Sequence, residues 1–162
     1  MEFTELSNEQ RRQLIDAQQV FSVWHPAKTE FAGLGTLQAT TVKGRKYVYH
    51  KRHGVRKSLG RETPALVKQK ADHDAKRQEL RGRVSFMRKR LDAMAPVNRA
   101  LRLNRLPTIA ARILRELDSV GLLGKHVIVA GTNALFAYEA ATGVVLGSEF
   151  VSTGDEIGRA HV

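Results

Sequence analysis

The stretch from Thr63 to Met94 limits the fold most. It is dense in Lys and Arg, with one thin apolar line through it. Leu80, Val84, Met87, Leu91 and Met94 are spaced by four, three, four and three, the period of a helix with a narrow seam on a charged rod. Thr63 suits an N-cap and Pro64 suits the first helical position. The spacing therefore predicts a long basic helix to about Met94, broken or restarted at Pro96.

The segments on either side read more conventionally. Residues Leu6 to about Trp24 predict a helix, with Leu14, Ala17, Phe21 and Trp24 at helical spacing, Ser7 or Asn8 as cap, and His25-Pro26 as its end. Leu37 to Val42 and Lys46 to Lys51 predict a β-hairpin turning at Lys43-Gly44. Tyr47 and Tyr49 then share one face, and Val48 and His50 the other. Pro107 opens a further helix with the stripe Ile109, Ile113, Leu114 and Leu117, and Gly121 is its natural end. "HVIVAG" reads as a short strand buried on both faces. It leads through a glycine turn into the helix "GTNALFAYEAATG", with Gly143 past its end. "VVLGSEFVSTGD" holds one or two more strands ending at Asp155. The fold class is α+β: N-terminal helix, hairpin, long basic helix, then helices leading into a strand-turn-helix-strand unit.

The charge is unevenly placed. The 162-residue chain carries a formal +11, and Lys43 to Arg105 holds 20 Lys and Arg against 5 Asp and Glu. Such a block suits a polyanionic partner, nucleic acid or a phosphorylated substrate, or else a solvated helix face. An apolar fraction of 42% is that of a globular protein, and no apolar run approaches a membrane span. The acidic, amphipathic N-terminus does not read as a signal peptide. There is no cysteine, which excludes disulfides and thiolate zinc and agrees with a cytoplasmic location.

Three places are candidates for chemistry. In "AGTNAL", Gly131 and Thr132 fall at a helix N-terminus, where unpaired N–H groups favour an anion and a missing side chain lets phosphate approach. Thr132 and Asn133 add a hydroxyl and an amide; the plainer reading is a simple N-cap. Asp155, at an expected strand end, suits magnesium, although two-metal chemistry needs several carboxylates. On the hairpin, Arg45, Lys46, Lys51, Arg52, Arg56 and Lys57 interleave with Tyr47 and Tyr49. That pattern either binds a nucleic-acid backbone and stacks bases, or lets the tyrosines roof a core. His50 and His53 lie among cations and suit phosphate or solvent better than zinc. Asp72, His73 and Asp74 on a helix point different ways. No P-loop, Rossmann fingerprint, nucleophile elbow or HExxH occurs.

The order of "QRRQLIDAQQVF", "YVYHKRHGVRKSLG", the long helix, "MAPVNRALRLNRLPTIAARILRELDSVGLLGKHVIVAGTNALFAYEAATGV" and "TGD" resembles a bacterial family of nucleotidyltransferase-like proteins of the polymerase-β superfamily. The resemblance covers the chain to Asp155. It implies that residues 106–155 open a nucleotidyltransferase palm after a basic region, 1–105. It also implies that the turn at Gly131 and Thr132, with Asn133, holds a nucleoside triphosphate, and that Asp155 is the first catalytic, metal-binding carboxylate. Magnesium and a nucleoside triphosphate are the implied cofactor and substrate. A nucleoside monophosphate would pass to an acceptor such as tRNA, another nucleic acid or a protein. The second carboxylate position is held by Ile157, which cannot bind a metal.

The ending "EIGRAHV" is what GAG ATC GGA AGA GCA CAC GTC encodes, and from AGATCGG onward those bases match a widely used sequencing adapter. Residues 156–162 are thus expected to be an artefact, and the chain a fragment that lacks the remaining carboxylates and is inactive. The alternative is a non-catalytic module that binds nucleic acid through the hairpin and long helix. A palm that modifies RNA or a protein within a toxin–antitoxin pair is a third reading.

Overall fold

A computed structural model describes residues 3–147 and Phe150. The elements are β1 (Phe3–Glu5), α1 (Asn8–Leu34), β2 (Thr36–Val42), β3 (Arg45–Arg52), β4 (Val55–Arg61), α2 (Pro64–Ala100), α3 (Thr108–Ser119), α4 (Thr132–Thr142) and β5 (Val144–Leu146). The class is α+β, with two small antiparallel sheets, β1-β5 and β2-β3-β4. Contacts divide the chain into two units, residues 17–95 and residues 1–16 with 96–162.

In the unit of residues 17–95, α1 and α2 lie side by side in opposite directions. Lys76 Nζ meets Glu30 Oε1 at 2.6 Å, and the Arg77 guanidinium lies 4.8 Å from the centre of the Phe31 ring. Further along, Trp24, Lys28 and Phe31 share a hollow with Arg81, Val84 and Arg88. Between Pro64 and Ala95, the α2 residues that are not exposed are Leu66, Lys70, His73, Arg77, Leu80, Val84, Met87, Leu91 and Met94. The four-three spacing therefore continues through three polar side chains towards the N-terminus of α2. Thr63 caps that end, its Oγ1 accepting from Leu66 N–H at 3.2 Å.

Neither expected proline break occurs, because α1 runs through Pro26 and α2 through Pro96. A helical proline leaves the carbonyl four residues earlier without a donor. Those carbonyls belong to Ser22 and Asp92, both at exposed positions where water can serve them. Both prolines are exposed too, so the ring does not disturb the packed seam.

The hairpin forms in the expected register, Thr40 opposite Tyr47 and Gln38 opposite Tyr49, and it gains a third strand, β4. Its turns are Lys43-Gly44 (φ 48° and 74°) and His53-Gly54 (φ 49° and 79°), the paired positive φ values of type I′ turns. Leu37 and Val48 are buried, the latter 1% exposed, and define the sheet's inner face. The C-terminus of α1 is tied down nearby. His50 Nε2 lies 2.8 Å and His73 Nε2 3.2 Å from the Leu34 carbonyl, and Arg77 Nε donates to the Gly35 carbonyl at 2.9 Å. Gly35 has φ 65°, and a Cβ there would fall 2.4 Å from the Lys51 carbonyl oxygen.

In the second unit, β1 pairs with β5, Phe3 opposite Leu146. Ser7 opens α1 with a reciprocal capping box: Gln10 N–H donates to Ser7 Oγ at 3.1 Å, and Ser7 N–H to Gln10 Oε1 at 2.8 Å. Gln10 Nε2 also donates to the Leu101 carbonyl, and Gln13 Nε2 to Asn98 Oδ1. The apolar stripe of α3 is largely uncovered, with Ile109 73% exposed among the described residues. "HVIVAG" does not form a strand. A single bridge joins Leu123 to Val127, and Ile128 is 84% exposed. A strand exists only against a neighbour that takes its N–H and C=O groups, and no described strand lies beside this segment.

Candidate functional site

The turn before α4 is built around Gly131. Its φ of 72° with ψ of −156° is a conformation side chains rarely adopt, which is why a glycine stands there. A Cβ at this position would meet none of the described residues within 4 Å, so among them the turn stands open. No side chain among the described residues caps the helix start, although Ala134 N–H donates to the Gly131 carbonyl at 2.9 Å. Thr132 is half-buried and Asn133 exposed. The structure thus gathers Gly131, Thr132 and Asn133 at one uncapped helix N-terminus, a setting that attracts phosphate oxygens. Gly143 closes α4 in the left-handed conformation expected of it, φ 72° and ψ 29°.

Beside the turn lies a cavity of about 680 Å³. Its wall is mainly apolar, with Leu6, Leu14, Leu106, Leu114, Val129 and Phe136, and Asn133 is the one residue of the turn that reaches it. Its polar lining includes an ion pair on a buried carboxylate that the sequence did not disclose. Glu139, 6% exposed, forms an ion pair with Arg105 Nη1 at 3.0 Å and accepts a hydrogen bond from Leu146 N–H at 2.7 Å. Arg105 also donates through both Nη atoms to the Leu146 carbonyl at 3.2 Å, and its guanidinium lies 5.8 Å from the centre of the Phe136 ring. This cluster joins the loop before α3, the middle of α4 and β5. Its only signal in the chain was a Glu in an otherwise apolar helical segment.

Magnesium does not find a site among the described residues. No group of three or more His, Asp or Glu is placed to hold a metal there, and the acid of α4, Glu139, is already committed to Arg105 and Leu146. Asp155, the expected metal ligand, lies outside the described residues, as do Ile157 and the rest of 156–162.

The six basic candidates on the sheet are all exposed. The strand register separates them. Arg45, Lys51 and Arg56 lie on the face of Tyr47 and Tyr49, whereas Lys46, Arg52 and Lys57 lie on the face of Val48. The Arg56 guanidinium is 3.8 Å from the centre of the Tyr49 ring and donates to Thr40 Oγ1 at 2.9 Å. Lys46 is turned to Glu62 at 3.9 Å. The tyrosines do not roof the core, a role that Leu37 and Val48 take on the other face.

Residues 108–156 match a family model described as Nucleotidyltransferase. The match begins at the first residue of α3, includes the Gly131 turn and reaches past Asp155. It supports a nucleotidyltransferase-like family for this part of the chain. No curated protein and no solved structure matches the chain. Among the described residues, no helix is long and apolar enough to cross a membrane.

Proposed function

We propose that residues 106–155 are the nucleotide-holding start of a nucleotidyltransferase palm. The observation that carries this reading is the coincidence of the family match with an open, uncapped glycine turn at Gly131. In an intact protein of this kind, the N–H groups of Gly131, Thr132 and Asn133 hold the triphosphate. Asp155 helps hold magnesium, and a nucleoside monophosphate passes to an acceptor in the bacterial cytoplasm. Magnesium would neutralise charge on the phosphates during that transfer. With Ile157 where a second carboxylate is needed, this chain is expected to bind nucleotide weakly and to transfer nothing. The test is incubation with labelled nucleoside triphosphates and magnesium, run beside an Ile157→Asp variant. The variant should bind the magnesium–nucleotide complex more tightly than the parent. Transfer by the parent chain, or no difference between the two, would count against the assignment.

A second reading is favoured by the basic sheet. From Lys43 to Arg61 there are eight Lys and Arg and no Asp or Glu. This segment binds nucleic acid, either as a module in its own right or to present an acceptor such as tRNA.

A further inference from the structure

Along the outward face of β3, four side chains follow in order: Arg45, Tyr47, Tyr49 and Lys51, a cation, two rings and a cation. Alternate residues of a strand are about 7 Å apart, so the line covers roughly 20 Å. The neighbouring strands extend it. Arg61 stands opposite Tyr47, Arg56 opposite Lys51, and Ser58 opposite Tyr49, while β2 contributes Thr36, Gln38 and Thr40. None of the three strands carries a carboxylate. Tyr47 and Tyr49 are half-buried, with the exposed Gln38, Ser58 and Lys51 around them, whereas the buried Leu37 and Val48 lie on the other face.

From this juxtaposition we infer that the outer face of β2-β3-β4 is a platform for single-stranded nucleic acid. The inference rests on the second reading above and sharpens it. Cations alone recognise any polyanion, duplex included. Two aromatic rings in the middle of a cationic line add something a duplex cannot use, since its bases are already stacked on one another. An unpaired base stacks on a tyrosine face or on the plane of a guanidinium. The Tyr49–Arg56 pair offers a guanidinium plane already stacked on a ring, with Arg56 held in position by Thr40. Tyr47 offers a second ring one pleat away. Arg45, Lys51 and Arg61 then lie where the connecting phosphates must pass. The inner face cannot serve in this way, because Leu37 and Val48 there are buried.

The test uses the 162-residue chain and fluorescein-labelled 12-nucleotide oligo(U), oligo(dT) and a 12-base-pair DNA duplex, read by anisotropy. Both single strands should bind at least about ten-fold tighter than the duplex. Tyr47→Ala and Tyr49→Ala should each weaken single-strand binding by about five- to hundred-fold, and Tyr→Phe at either position should retain it within about two-fold. With roughly four cations engaged, log K against log salt should slope near −3 for single strands, and Arg45→Ala or Lys51→Ala should each reduce that slope by about 0.7. Circular dichroism melting checks each variant's fold. If an alanine variant unfolds, the exposed Arg45→Glu and Lys51→Glu variants decide instead, and unchanged single-strand binding in both overturns the inference. Equal affinity for duplex, with tyrosine variants indistinguishable from the parent, overturns the platform but leaves binding through the backbone standing. No binding to any of the three probes overturns both.

Discussion

Removing Arg105 should destabilise the unit around α4 more than removing Arg105 and Glu139 together. Glu139 is 6% exposed and the Arg105 side chain 24%, so neither charge is screened as a surface pair would be. At their 3.0 Å separation, an effective dielectric near 20 gives an attraction of about 5.5 kcal/mol, most of which offsets the cost of taking both charges out of water. Arg105→Met leaves the Glu139 carboxylate buried with one remaining donor among the described residues, Leu146 N–H. Breaking a buried pair in this way costs about 3–5 kcal/mol. The double variant, Arg105→Met with Glu139→Leu, strands no charge. It loses the hydrogen bonds to Leu146 N–H and C=O, for about 1–3 kcal/mol. Urea unfolding followed by far-UV circular dichroism gives the energies, and hydrogen exchange at the Leu146 amide shows whether the loss is local to β5. Should Arg105→Met cost less than about 1 kcal/mol, or the double variant prove the worse of the two, water reaches the pair and the reasoning fails.

Gly35→Ala should cost more than about 2 kcal/mol by thermal or urea unfolding, since the left-handed backbone alone is worth roughly 1–2 kcal/mol and the new Cβ would press on the Lys51 carbonyl. Ser7→Ala should cost about 1 kcal/mol by opening the capping box, whereas Ser7→Thr should cost little. The hydrogen bond from Lys70 holds the Asp74 carboxyl below its ordinary 3.8, helped by the Lys70 charge and by His73. A carboxyl depressed in the folded state adds stability that is present above pH 3.8 and lost as pH falls through the lower folded value. Asp74→Asn should therefore flatten the acid limb of the stability profile, modestly, because Asp74 is nearly half exposed.

Much of the local architecture was legible because it depends on neighbours in sequence. The Ser7 cap, the Thr63 cap, the Lys43-Gly44 turn and the Gly143 stop each occur where the residue type demands them. The seam on α2 was legible only from Leu80 onward. Its other half uses Lys70, His73 and Arg77, which hydrophobic periodicity cannot detect, and their seam positions show only against α1 and the carbonyls of Leu34 and Gly35. The prolines misled because propensity counts the lost hydrogen bond, while the carbonyls it leaves without a donor, those of Ser22 and Asp92, stand at exposed positions where water serves them. β4 escaped notice because an edge strand rich in Arg and Lys lacks apolar alternation, and charge of that kind guards an edge from further pairing.

At the candidate site the division is similar. Gly131, Thr132 and Asn133 could be named in advance, since a glycine before a helix start is a local signal. Pairing of the kind seen between Arg105 and Glu139 could not, because the partners lie in a loop and a helix far apart in sequence. By itself the sequence determined where helices start, where hairpins turn and which segment carries the positive charge, because each follows from the conformational limits of a few adjacent residues. Tertiary structure decided that "HVIVAG" is a loop, that three of the six basic candidates share a face with two tyrosines, and that a buried carboxylate is neutralised. Each of those outcomes depends on which distant group comes within reach.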